Sequence, residues 1–175
     1  MTIEFIWQLL TQSDGERSDV TNHPVHVFNA LPPRSLKILI DDLQSLALHQ
    51  RRDVVAGLRI DVLARETEEE AITAARQFLN PAHFDFNSHW QAPEFATPFA
   101  QQGSSAHSAL VGSYDDVSEQ FLQYIDAGVE VFVLAAIPHD EEKQRFEAHV
   151  IPRVRAALSQ RAPERPAFER AVSAA

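Results

Sequence analysis

The sequence predicts an α/β protein built on an open parallel sheet of about four strands with flanking helices. Three observations carry that expectation. Short β-branched or aromatic runs alternate with segments of helical spacing, the pattern of strands joined by crossover helices. The run "VEVFVLAA" (129–136) is apolar almost throughout, as a strand covered on both faces must be. Gly128 stands between that run and a capped helix, where a helix stop is expected.

The first element is "IEFIWQLL" (3–10), a strand bounded by the polar run that follows it. "VHVF" (25–28) is a second strand, closed by prolines. In "RSLKILIDDLQSLALHQ" (34–50), Leu36, Leu39, Ile40, Leu43 and Leu46 recur at helical spacing and predict one buried stripe. "AGLRIDVLA" (56–64) alternates Leu58, Ile60 and Val62 with Arg59 and Asp61, giving a strand with two unlike faces. In the helix that follows, Thr67 and Glu70 form a capping box and the glutamates at 68–70 favour its positive end. Its apolar side carries Ala71, Ala74, Ala75 and Phe78. Residues 80–108 lose all periodicity and read as a long irregular loop with a strong aromatic content. Ser113 caps the next helix, which turns Val117, Phe121, Tyr124 and Ile125 inward. After the 129–136 strand, "PHDEEKQRFEAHVIPRVRAAL" runs as a helix to about Leu158, with a kink expected at Pro152. Residues 1–160 make one domain, and 161–175 a polar tail.

Composition narrows the function classes. The chain has 175 residues, fewer than the ~250 of a complete (β/α)8 barrel. Its formal charge of −10 disfavours nucleic acid and anionic membrane as partners. With no cysteine there is no disulfide, thiolate metal site or cysteine nucleophile. No histidine pair has the i, i+4 spacing of a helical metal site, so no metal is expected. The N-terminal segment lacks the basic region of a signal peptide and no run approaches membrane-helix length, so a cytoplasmic protein is expected.

Three segments resemble the luciferase-like flavin-dependent monooxygenases, most of all the alkanesulfonate monooxygenase branch. "EFIWQLLTQSDGE" (4–16) looks like the family's first barrel strand and its loop. "GLRIDVLARETEEEA" (57–71) looks like the seventh strand and the helix start after it. The segment "ALVGSYDDVSEQFLQYIDAGVEVFVLAAIPHDEEKQRFEAHVIPRV" (109–154) looks like the last helix, eighth strand and closing helix. "VHVFNALPPRSLKILIDDL" (25–43) is more weakly similar to the sixth strand and its helix. The resemblance skips strands two to five. It implies a partial (β/α)8 barrel, with strands in the order 6-7-8-1 and helices on one face.

The same resemblance implies FMN or reduced FMN as cofactor and oxidation of a small organic substrate with molecular oxygen. It assigns catalytic positions to Arg59, Asp61 and His139 and a cofactor-binding position to Thr11, while "GSSAHS" (103–108) reads by itself as a candidate phosphate cradle of backbone N–H groups and hydroxyls, with Ser104 and Ser105 as cofactor-binding positions. The family's histidine is Asp61 here, which can pair with Arg59 on the same strand face. Its tyrosine in the loop after strand eight is Ile137, and its mobile-loop arginine and its cysteine have no counterpart. These substitutions imply an activity impaired in the chain alone. A non-catalytic α/β interaction module, with a homodimer covering the open sheet face, is the alternative, and a decayed remnant is a third.

Overall fold

The computed structural model describes residues 3–7, 24–29, 31–78, 109–135 and 139–161. The strands are β1 (Glu4–Trp7), β2 (Val25–Asn29), β3 (Val55–Arg65), β4 (Ala109–Ser113) and β5 (Val131–Ala135). The helices are α1 (Pro33–His49), α2 (Glu68–Phe78), α3 (Tyr114–Asp126), α4 (His139–Arg145) and α5 (Ile151–Arg161). A π-helical turn, Phe146–Val150, joins α4 to α5.

The sheet is parallel throughout and runs β1-β5-β3-β2, the order expected for barrel strands 1, 8, 7 and 6. β3 has 11 residues against four or five in its neighbours. Its first half lies between β2 and β5, with Gly57 paired to both Val27 and Val131. Its second half, Asp61–Arg65, runs on and pairs with β4 along the edge that β2 occupies lower down. β4 is an element that the sequence reading did not anticipate. Five residues flanked by a long aperiodic stretch carry little strand signal.

Strand alternation sorts the side chains into two faces. Ala56, Leu58, Ile60, Val62 and Ala64 of β3 join Phe132 and Leu134 in the main core, with residues from α1, α3, the π-turn and α5. Phe5, Phe121, Phe132 and Phe146 meet there, ring centroids 4.9 to 5.8 Å apart. A second cluster holds Leu63, Ala71, Ala75, Ala109 and Val111, so α2 lies on the opposite face. The expectation of helices on one face is therefore corrected. The physical reason is crossover handedness. The β2–α1–β3 and β4–α3–β5 connections step across the sheet in one direction, whereas β3–α2–β4 steps back. Right-handed crossovers then put α2 on the other side.

Local signals are met where the chain is regular. Thr67 and Glu70 exchange capping hydrogen bonds, with Glu70 N–H to Thr67 Oγ1 at 3.2 Å and Thr67 N–H to Glu70 Oε2 at 3.3 Å. Ser113 Oγ accepts from Asp116 N–H at 3.1 Å. The last helix continues to Arg161 rather than Leu158. Around Pro152, which has no N–H to give, the Ile151 N–H reaches back five residues to the Phe146 carbonyl. The irregularity is thus a π-turn. In α1 only Leu36 and Ile40 of the expected stripe are fully buried. Leu39 and Leu46 are exposed, as are Ile38 and Leu48. Helical spacing marks an apolar side but does not say that a neighbour is there to cover it.

Two helix ends use the same geometry with different residues. After α3, Gly128 (φ 105°) donates to Ile125 O at 2.9 Å and Val129 to Tyr124 O at 3.1 Å. After α1, Arg51 (φ 53°) donates to Leu48 O at 3.0 Å and Arg52 to Ala47 O at 2.9 Å. Both are Schellman ends, and positive φ favours glycine. Gly128→Ala is expected to destabilise by about 1 to 2 kcal/mol, since its Cβ would also meet Ile40 Cγ2 at 3.2 Å. Arg51→Gly is expected to stabilise by about 1 kcal/mol. Urea titration of both variants checks the pair.

Candidate functional site

In open parallel sheets, ligands bind at the carboxyl ends of the strands, where connections leave toward opposite faces. β3 and β5 meet that description: β3 leads to α2 on one face and β5, by way of α4, to the π-turn and α5 on the other. Arg59 and Asp61 lie on the strand face opposite the main core, the face on which Leu63 meets α2, and Asp61 sits in the row of Ala109 and Ala135.

Asp61 is 1% exposed, and its Oδ2 has no hydrogen-bond partner. Burial pushes its carboxyl up from 3.8 to about 7, with the Arg59 guanidinium pulling the other way. The expected pairing of Arg59 with Asp61 thus exists as an electrostatic attraction that leaves Oδ2 without a donor. Across β5 on the same face stands Glu4, whose Oε2 is likewise buried without a partner. The sequence reading missed Glu4. The available signal was its alternation with Phe5 in a strand expected to lie beside β5.

A second polar centre lies above the first. Glu142, 2% exposed, accepts from Arg65 Nη1 at 2.7 Å and from Arg145 Nη1 at 2.6 Å. It ties the end of β3 to α4. The sequence shows this residue only as one of several acids in the first turn of α4, where solvated partners of the helix dipole are the usual case. An open cleft of about 800 Å³ adjoins it, lined by Arg65, Arg145 and Tyr114 and by Glu66, Glu69, Glu70 and Glu141. Tyr114 stacks on His149 and lies under the Arg153 guanidinium, fixing the start of α3 against the π-turn.

His139 is the first residue of α4. Its side chain lies outside the described residues, as do Thr11, Ser104, Ser105 and Ile137. The described part of the expected site is therefore Arg59 and Asp61, to which the structure adds Glu4. Among the described residues, no group of three His, Cys, Asp or Glu could hold a metal ion, and no helix is long and apolar enough to cross a membrane.

FMN needs an apolar slot for its ring and a donor-rich site for its phosphate dianion. Val131, Val133, Ala135 and Ile6 make the same face apolar along β5 and β1, with Val131 and Ala135 buried. The described residues give no matching phosphate site. Arg65 and Arg145 are engaged by Glu142, and four further glutamates line that cleft. The described residues therefore do not fit FMN as a whole.

The fold is shared with parts of several solved structures. DmoA from Hyphomicrobium sulfonivorans matches over 87% of this chain and 41% of its own, with a TM-score of 0.59 and 12% identity. A riboflavin lyase (RcaE), solved with modified FMN and riboflavin, matches over 76% and 38%, with a TM-score of 0.56 and 13% identity. A long-chain alkane monooxygenase (LadA) matches over 76% and 36%, with a TM-score of 0.55 and 13% identity. No family model matches the chain. At such identities the likeness shows the fold alone: an open parallel α/β sheet that matches part of a (β/α)8 barrel. The chain spans about two fifths of the length of these structures.

Proposed function

We propose that this chain is an arc of a luciferase-like flavin monooxygenase barrel, of the alkanesulfonate type. It serves cytoplasmic oxidation of a small organic substrate by reduced flavin and oxygen, and it is inefficient without the rest of the wall. The carrying observation is the strand order β1-β5-β3-β2 with Arg59 and Asp61 together on the face that such a barrel turns inward. On that face Asp61 holds a proton near neutral pH, and Arg59 supplies a fixed positive charge beside it.

Titration of the purified chain with oxidised and with anaerobically reduced FMN tests this. Binding at or below about 100 µM is expected, and none up to that concentration would sink the reading. A second reading, an interaction module that forms a homodimer, is favoured by the exposed Ile38, Leu39, Leu46 and Leu48 on α1 beside the edge strand β2. It expects no flavin binding and a dimer by light scattering.

A further inference from the structure

We infer that two copies of this chain join edge to edge through β2, in antiparallel pairing about a two-fold axis at Val27, with the two α1 helices side by side on one face. The inference rests on the homodimer reading and needs no flavin. Among the described residues β2 has a neighbouring strand on one side only, β3. Val55 N–H donates to Pro24 O at 3.0 Å, and parallel pairing turns alternate residues toward the neighbour. His26 and Phe28 therefore direct their backbone groups to β3. Val25, Val27 and Asn29 direct theirs outward. That edge is complementary to itself. Rotation about Val27 sets Val27 opposite its own copy and Val25 opposite the second copy's Asn29. Such opposed residues exchange both hydrogen bonds, so every outward N–H and C=O of the strand is used. His26 and Phe28 then form the closely spaced pairs on the main-core face. They meet edge-on at 4.6 Å within one copy, and the pairing brings both sets of rings together.

Charge and area fit the same axis. Edge strands are normally blunted by charge, proline or a bulge. β2 has none of these between Val25 and Asn29, and residues 20–33 hold no Asp, Glu, Lys or Arg in a chain of net charge −10. Two copies therefore meet here without opposing charges. On α1, Ile40 reaches the turn after α3, its Cγ2 3.2 Å from where a Gly128 Cβ would stand. Leu39 and Leu46 lie roughly a third of a turn from Ile40, beyond Leu36, and so on the flank toward the open edge. With α1 over β2 and β3, the two helices stand two strand spacings apart, about 9.6 Å, which is the ordinary distance of packed helices. Val27, Leu31, Leu39 and Leu46 are 37 to 56% exposed. They bare roughly 300 Å² of apolar side chain per copy, and the strand edges bring the whole contact near the ~1,200 Å² of a specific interface. A strand of another protein could use the same edge, but the two-fold axis also sets Leu39 and Leu46 against an equal apolar flank.

Sedimentation equilibrium of the full chain from about 1 to 200 µM tests it, with amide hydrogen exchange followed residue by residue at both ends of that range. A dimer is expected, with every amide of β2 protected in concentrated solution. On dilution Val25, Val27 and Asn29 should lose protection, and His26 and Phe28 should keep it. Val27→Pro removes an N–H that the single chain does not use. It should weaken the dimer at least about tenfold, with His26 and Phe28 still protected. Leu46→Glu, on the exposed helix flank, should weaken it about as much without touching the strand. A dimer whose Val25, Val27 and Asn29 amides exchange freely, or one indifferent to both substitutions, keeps the homodimer reading and overturns this pairing. A monomer throughout the range sinks both, including the case in which the edge serves a strand of another protein.

Discussion

Asp61→Asn is expected to stabilise the protein at pH 8 by up to about 4 kcal/mol and to change little at pH 4. Below 3.8 the carboxyl is protonated in folded and unfolded chains alike and costs nothing. Between 3.8 and about 7 the unfolded chain releases the proton while the folded one retains it, so stability falls as pH rises. Above about 7 the folded chain holds a carboxylate at 1% exposure, and the penalty is complete. Asparagine keeps the shape and removes the ionisation. Urea titrations at pH 4, 6 and 8 should show the gap between variant and parent opening with pH. A gap that stays constant would mean that Asp61 is solvated in solution. A buried acid retained at such cost is the pattern of a binding position, where stability and function pull apart.

Glu142→Ala is expected to destabilise by about 3 to 5 kcal/mol near neutral pH. The substitution leaves Arg65, whose side chain is 16% exposed, without its carboxylate. Arg145 is 37% exposed and loses less, because solvent takes over. Glu142→Gln should fall between the two, since the amide oxygen still accepts one hydrogen bond. Arg65→Met, which removes the buried charge together with its demand, should partly rescue Glu142→Ala in a double-mutant cycle. If Glu142→Ala costs no more than Glu141→Ala, the network is no more than a surface contact.

These two residues show where sequence reasoning succeeds and where it stops. Asp61 was legible as an acid on the polar side of an alternating strand, because alternation is local. Glu142 was not, because its partner Arg65 lies 77 positions away and nothing in "HDEEKQ" distinguishes the buried acid from its neighbours. Caps behave like Asp61. Thr67, Ser113 and Gly128 each act within a few residues, and each was readable. β4 and the side taken by α2 depend on the direction in which the chain crosses the sheet, which no short window contains. Burial along α1 depends on what stands opposite it, and so Leu39 and Leu46 misled. Glu4 required both the β1–β5 register and the knowledge that its oxygen finds no donor.

The pairing of β1 sets an order of assembly. Within the described sheet it has one neighbour, β5, and Glu4 lies opposite Val131. During synthesis Phe5, Ile6 and Trp7 leave the ribosome long before residues 131–135 and must wait for them before their strand has a place. The central unit β2–α1–β3 can form meanwhile, since its contacts are closer in sequence. Docking of the N-terminal strand is then a late event with a high loop-closure cost, and Phe5 completes the ring cluster only at that step. A nascent chain released before residue 135 would carry β1 as an unpaired apolar strand, the kind of segment that chaperones bind and that aggregates when they do not.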